Sequence, residues 1–225
     1  MQPLEEIKEN IRMWPGDENT QELLMGVKAG DDDAVNGLLD RHRDAVRRLV
    51  QMRLDRKIRQ RVDVSDVVQE VLVSAHRRLQ KYLESPVMPF HLWIRQIAKD
   101  RIIDAHRRHR VSAKRSVDRE RPMVVPAGMH RSTMELAAHL CDGELTPAAV
   151  ATQREMVRRV TEVLSELSEQ ESEIIMMRHF EHLSNQEVAQ ALELTEPAAG
   201  MRYLRALRKL RALLLDSSEE ESVEP

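Results

Sequence analysis

Arg202, Arg205, Arg208, Lys209 and Arg211 lie on one helical run in which no acid appears from Pro197 to Leu215. Cations repeated at helical spacing neutralise phosphates, and a helix carrying them can reach guanine edges in a DNA major groove. The residues just before supply the other half of such a device. Ser184, with Glu187 three residues later, has the spacing of a capping box and starts a helix whose expected buried stripe is Val188, Ala191 and Leu192. Thr195-Glu196-Pro197 starts the next helix, with Pro197 in the first turn, where a missing N–H costs nothing. Leu204, Leu207, Leu210 and Leu214 are its expected buried stripe. Two such helices joined by a tight turn form a helix-turn-helix; the alternative is an ordinary helical hairpin with a solvated basic face.

Two further groups of side chains could do chemistry. Asp66, Gln69, Glu70 and Ser74 fall together on the outer face of the helix DVSDVVQEVLVSAHRRLQKYL, which suits a protein contact. The helix FHLWIRQIAKDRIIDAHRRH follows a loop closed by Pro86 and Pro89. Phe90, Trp93, Ile94, Ile97, Ala98 and Ile102 are expected inward and Arg95, Lys99, Arg101, Arg107 and Arg108 outward. A basic face beside a tryptophan suits unpaired nucleic acid, where aromatics stack on bases; taken alone, Trp93 reads more simply as core. Asp100, Asp104, His106 and His109 invite a metal-dependent nuclease reading. Only Asp100 and Asp104 share a helical face, however, and the neighbouring cations would repel a metal. His139 and Cys141 are an equally weak zinc pair. With no Gly-rich phosphate loop and no nucleophile elbow, neither an enzyme nor a bound cofactor is expected.

The elements that must position these groups are helical throughout. Aromatics make up 3% of 225 residues, charged residues 32%, and no glycine occurs between Gly37 and Gly128, so small all-α domains built on Leu, Val, Ile and Met are expected. Residues 1–18 read as a polar, loosely attached N-terminal extension with a break at Trp14-Pro15-Gly16. A helix over about 19–29 should stop at Gly30, and Asp31, Asp32 and Asp33 should open the next, with Val35, Leu38, Leu39, His42, Val46, Leu49 and Val50 as its stripe. DRKIRQR, 55–61, reads as a connector. Periodicity fails over 112–146, which reads as a linker with a short helix at 132–140. Thr146-Pro147 opens a helix carrying Val150, Val157, Val160 and Val163, and Ser168 with Glu171 makes a second capping box. Residues 216–225 read as a disordered acidic tail. The net charge of −3 hides a local excess of bases over Lys99–Arg121, which points to an anionic partner met at a particular place. The single Cys141, the lack of an apolar run of membrane-spanning length and the absence of an apolar signal core in MQPLEEIKEN make a cytoplasmic protein the expectation, with no membrane partner.

Five stretches in order resemble bacterial RNA polymerase sigma factors of the extracytoplasmic-function (ECF) group. LLMGVKAGDDDAVNGLLDRHRDAVRRLV resembles the opening of their second conserved region. DVSDVVQEVLVSAHRRL is similar to their D-x-VQE helix and FHLWIRQIAKDRIIDAHRR to their W-x-x-x-IA helix. LSELSEQESEIIMMRHFEHLSNQEVAQALELT and MRYLRALRKLRALL resemble the fourth region. The likeness covers roughly 22–110 and 150–215, with no third region between.

The resemblance implies a region 2-like domain over 19–111, the linker, and a region 4-like helix-turn-helix domain over 147–215. It implies a factor that binds core RNA polymerase, recognises promoters, helps melt DNA and starts transcription. By that likeness Asp66, Gln69, Glu70 and Ser74 would meet the clamp helices of the largest polymerase subunit. Phe90, Trp93, Arg95, Lys99, Arg101, Arg107 and Arg108, with loop 84–89, would hold the melted minus-ten strand. Ser184, Thr195, Glu196, Ala198, Arg202, Tyr203 and Arg205 would meet the double-stranded minus-thirty-five element, and the linker would run toward the RNA exit path. An anti-sigma factor is a further expected partner. The competing reading is a helix-turn-helix regulator that does not engage polymerase. The family usually has Gly where Glu193 stands in the turn and polar residues where this chain has Ala198, Gly200 and Met201. That departure implies weaker or more phosphate-dominated reading of the upstream element, carried mainly by Arg202 and Arg205.

Overall fold

The computed structural model describes residues 13–54, 56–59, 61–112, 132–133, 136 and 150–220, and the chain divides into two compact units between Glu120 and Arg121. In the first unit, helix α1 (Asp17–Lys28) stops where Gly30 takes the left-handed φ of 85° and the Asp31 N–H reaches the Gly26 carbonyl at 3.1 Å. This is the Schellman closure that glycine favours. The Asp31 side chain then accepts the N–H groups of Asp33 (2.9 Å) and Ala34 (3.3 Å), capping helix α2 (Asp32–Arg53). The two helices approach closely because Gly26 lacks a side chain: a Cβ there would stand 2.8 Å from that of Ala34. After one helical turn at Arg56–Arg59, which buries Ile58, Asp63 caps helix α3 (Val64–Glu84) through the Ser65 N–H at 2.8 Å. Helix α4 (Phe90–Ser112) completes the unit.

Helix α2 packs against α1, α3 and α4, and α3 against α4, around a core of Leu38, Val46, Leu49, Val71, Leu79, Ile94 and Ala98. His42 sits fully inside it. Its Nδ1 lies 2.9 Å from the Leu38 carbonyl and its ring meets Phe90 edge-on at 4.8 Å.

The lead segment is tied down further than its polarity predicts. Met13 and Trp14 are buried, Arg48 donates to the Met13 carbonyl at 2.9 Å, and Arg41 donates to that of Gly16 at 3.3 Å. Burial of two apolar side chains next to a Pro-Gly break outweighs the polarity of the lead, so the attached part begins by Met13. Residues 1–12 lie outside the described residues.

In the second unit, α5 (Val150–Glu166), α6 (Glu169–Ile175), a π-helical turn (Met176–Phe180), α7 (Asn185–Ala191) and α8 (Glu196–Glu220) follow in order. Both capping boxes form: Ser168 with Glu171 opens α6 and Ser184 with Glu187 opens α7. Helix α8 packs on α5, α6 and α7. Its buried stripe is Ala199, Ala206, Leu207, Leu210 and Leu214, whereas Leu204, expected inside, is 43% exposed. Residues 204, 207 and 210 step by three, and each such step drifts about 60° around a helix, so all three cannot face one core. The core takes the later two.

Helix α8 also continues into the tail expected to be disordered, because no Gly or Pro lies between Arg211 and Glu220 to stop it. Within 112–146 only Ser112, Ser132, Thr133 and Leu136 are described. All four are helical, and Thr133 and Leu136 are buried. The remainder of the expected linker helix and the Thr146-Pro147 start lie outside the described residues.

Candidate nucleic-acid and protein interfaces

Burial of Val67, Val68, Val71, Leu72 and Ala75 against α2 and α4 turns the opposite side of α3 outward. Asp66 and Gln69 are exposed, and Glu70 and Ser74 half-exposed. Val73, which sequence reading passed over, is 43% exposed and stands three residues from Glu70, four from Gln69 and seven from Asp66. Those offsets put it in the middle of the polar face and leave Ser74 at the edge. An outward Val inside a Val-rich helix gives no periodic signal, because the inward residues are of the same type.

The basic helix divides differently from expectation. Phe90 and Arg95 are each 2% exposed, so Arg95 belongs to the interior and is corrected from an outward to an inward residue. Its neighbours Ile94 and Ala98 are fully buried, and the stripe that they define sweeps Arg95 with it. Phe90 faces Tyr82 (5.6 Å) and His42 rather than a ligand surface. Trp93 is half-buried, its ring centre 4.7 Å from that of Tyr82 and 5.3 Å from that of Phe90. The Tyr82 hydroxyl donates to the Met88 carbonyl at 3.0 Å and so pins the loop between α3 and α4; burial pushes its pKa up. The cations that remain outward or half-outward are Lys99, Arg101, Arg107 and Arg108. Asp104 pairs with Arg101 at 3.1 Å and His106 Nε2 lies 3.1 Å from the Arg53 carbonyl, which takes two groups of the imagined metal set into other contacts. The His109 side chain, His139 and Cys141 lie outside the described residues.

The helix-turn-helix is closed by strain at one residue. Glu193 takes φ 55°, with its N–H on the Gln190 carbonyl (3.3 Å) and the Leu194 N–H on the Ala189 carbonyl (2.8 Å). This is the same Schellman geometry as at Gly30, made without glycine. The chain therefore turns at Glu193 and does not extend the helix. Thr195 Oγ1 accepts the Ala198 N–H at 3.3 Å, and Asn185 Nδ2 donates to the Glu196 carbonyl at 2.9 Å, joining the start of α7 to that of α8.

On the next turns, the Tyr203 hydroxyl lies 2.7 Å from His179 Nε2, and the Arg178 guanidinium sits 5.4 Å from the Tyr203 ring centre. These contacts occupy much of Tyr203, which is half-buried. Lys209 reaches back to Glu171 at 2.8 Å, and that bond holds the Glu171 carboxyl below its ordinary range. Ser184 spends its hydroxyl on the cap of α7. Thr195, Glu196, Ala198 and Arg205 are exposed, and Arg202 is half-exposed.

Residues 38–111 match the family model for Sigma-70 region 2, and residues 158–210 match that for Sigma-70, region 4. The chain is 30% identical over 158 residues to RNA polymerase sigma factor CnrH of Cupriavidus metallidurans, covering 70% of this chain and 76% of that protein. It is 28% identical over 194 residues to the ECF RNA polymerase sigma factor SigD of Mycobacterium tuberculosis, covering 86% of this chain and 83% of the relative. Its fold is similar to that of CnrH in the structure of CnrH in complex with the cytosolic domain of CnrY, with a TM-score of 0.54 at 23% identity over 88% of this chain and 97% of the other. With two helical units carrying regions 2 and 4 in order, this chain belongs to the extracytoplasmic-function group of RNA polymerase sigma factors, which bind core polymerase and direct it to promoters.

Proposed function

We propose that the three exposed faces divide the work of this sigma factor. The α3 face of Asp66, Gln69, Glu70, Val73 and Ser74 docks on core polymerase. The exposed part of Trp93, with Lys99, Arg101, Arg107 and Arg108, holds the melted minus-ten strand. The exposed side of α8, with Arg202 and Arg205, enters the major groove of the upstream element, where Thr195, Glu196 and Ala198 stand at the entering end. Phe90 and Arg95 then act from within, by holding α4 in place.

The observation that carries this division is the separation of charge between adjacent helices. The outward side of α3 presents Asp66 and Glu70 in its first two turns, whereas α4 presents Lys99, Arg101, Arg107 and Arg108 against two acids, Asp100 and Asp104, so a protein and a nucleic acid can be met by neighbouring surfaces. Charge reversal separates the two. Asp66→Lys with Gln69→Lys should abolish co-purification with core polymerase. Lys99→Glu with Arg101→Glu should leave co-purification intact and abolish open-complex formation. Loss of both functions in both variants would overturn the division.

CnrH was captured with the cytosolic domain of another protein, and that supports an inhibitory protein partner of the anti-sigma kind for this chain as well. Among the described residues no helix is long and apolar enough to cross a membrane, and a cytoplasmic site of action fits a factor whose partner is polymerase.

A further inference from the structure

Met201 and Leu204 are the only exposed large apolar side chains in the described part of α8 before Leu215, at 46% and 43% exposure. Both stand among arginines: Arg208 lies four residues after Leu204 and seven after Met201, and Arg205 four after Met201, so all four share the side opposite the buried stripe. Ala198, three residues before Met201, is exposed on the same side. The rotation of the helix that puts them there is held from two directions, by the Asn185 bond to the Glu196 carbonyl and by the contact of Tyr203 with His179.

Apolar groups ringed by cations match a partner that is anionic at its rim and apolar at its floor. The DNA major groove has that character wherever a thymine projects its 5-methyl group between two phosphate backbones. Met201 lies in the second turn of α8, within the N-terminal part of a recognition helix that reaches base edges. We propose that Met201, backed by Ala198, selects thymine in the upstream element by contact with its 5-methyl group. At that base the sequence is then read by apolar fit, with Arg205 and Arg208 holding phosphates to either side. This rests on the reading that α8 enters the major groove, and it adds a base-specific contact to the weaker or more phosphate-dominated reading that the missing polar residues at 198–201 implied.

Replacing thymine by deoxyuridine removes that methyl group and nothing else, so it provides the test. The probe is an upstream duplex selected from a randomised pool by core polymerase carrying the full-length chain. Each thymine in it, on either strand, is then changed in turn to deoxyuridine. At one position the change should weaken binding about fourfold, the effect of one buried methyl. Met201→Ala should bind the thymine and deoxyuridine duplexes alike at that position, and Met201→Leu should restore the difference. A selected duplex without thymine, indifference of the natural protein to every deoxyuridine, or full discrimination by Met201→Ala would each overturn the proposal. Failure to enrich any upstream sequence would instead overturn groove entry by α8, and this proposal with it.

Discussion

Arg108 on α4 grips Glu70 on α3 with two hydrogen bonds, Nη1 to Oε1 at 3.0 Å and Nη2 to Oε2 at 2.8 Å. The fork ties together two side chains that are assigned to different partners, a carboxylate facing polymerase and a guanidinium facing DNA. The Arg108 and Glu70 side chains are 54% and 40% exposed, so water screens the pair and its contribution to folding is below about 1 kcal/mol. Glu70→Gln is therefore expected to leave the denaturant midpoint nearly unchanged while weakening association with core polymerase several-fold. A competition assay against the natural protein measures the second effect. A large loss of folding stability with unaltered polymerase binding would make Glu70 a structural residue only.

His42 makes the first unit sensitive to acid. Burial pushes its pKa down from 6.5 to about 4, against the opposing pull of the Leu38 carbonyl. With Nδ1–H spent on that carbonyl, Nε2 is buried with no partner, so a second proton would have no acceptor there. The unfolded chain takes up that proton at higher pH than the folded one, so the stability due to neutral His42 is complete above about 6.5 and is lost as pH falls toward 4. The loss is on the order of 3 kcal/mol. Trp14 and Trp93, the two tryptophans of the chain, both lie in this unit, so fluorescence-detected unfolding at pH 7, 5.5 and 4.5 reports on it alone. His42→Leu should flatten the profile over that interval.

Arg95 separates a structural from a DNA-binding role. At 2% exposure, its removal disturbs the packing of α4 before it disturbs any ligand. Arg95→Ala is expected to destabilise the first unit by roughly 3 kcal/mol, as the loss of a buried charged side chain does. Lys99→Ala, at a half-exposed position, should change stability by less than about 0.5 kcal/mol and weaken binding to single-stranded minus-ten DNA. Chemical denaturation of both variants decides it: an undisturbed Arg95→Ala would return Arg95 to the surface.

Glu193 stores strain that glycine would release. A non-glycine residue in the left-handed region costs about 1 kcal/mol, partly offset by the freedom that glycine brings to the unfolded chain. Glu193→Gly should raise the stability of the second unit by up to about 1 kcal/mol without altering DNA binding. Amide exchange in α7 and α8 is the readout, and slower exchange is the expected result.

The two capping boxes, the Gly30 stop, the acidic helix opening at Asp31 and the order of the helices are legible in the sequence, because each depends on residues within a few positions of one another. So was the family, since its motifs are local and come in order. What the sequence left undecided was the rotation of each helix about its own axis. Arg95 reads as outward and Leu204 as inward until the neighbouring helices choose the stripe that they bury. Trp14 reads as part of a loose lead until the burial of Met13 and the bond from Arg48 show it anchored. Glu70 and Arg108 are 38 residues apart, and no spacing rule brings them together. Local hydrogen-bonding geometry is written in neighbouring residues; which side chains remain for partners is settled only when the helices pack, because packing decides which face of an amphipathic surface is used up.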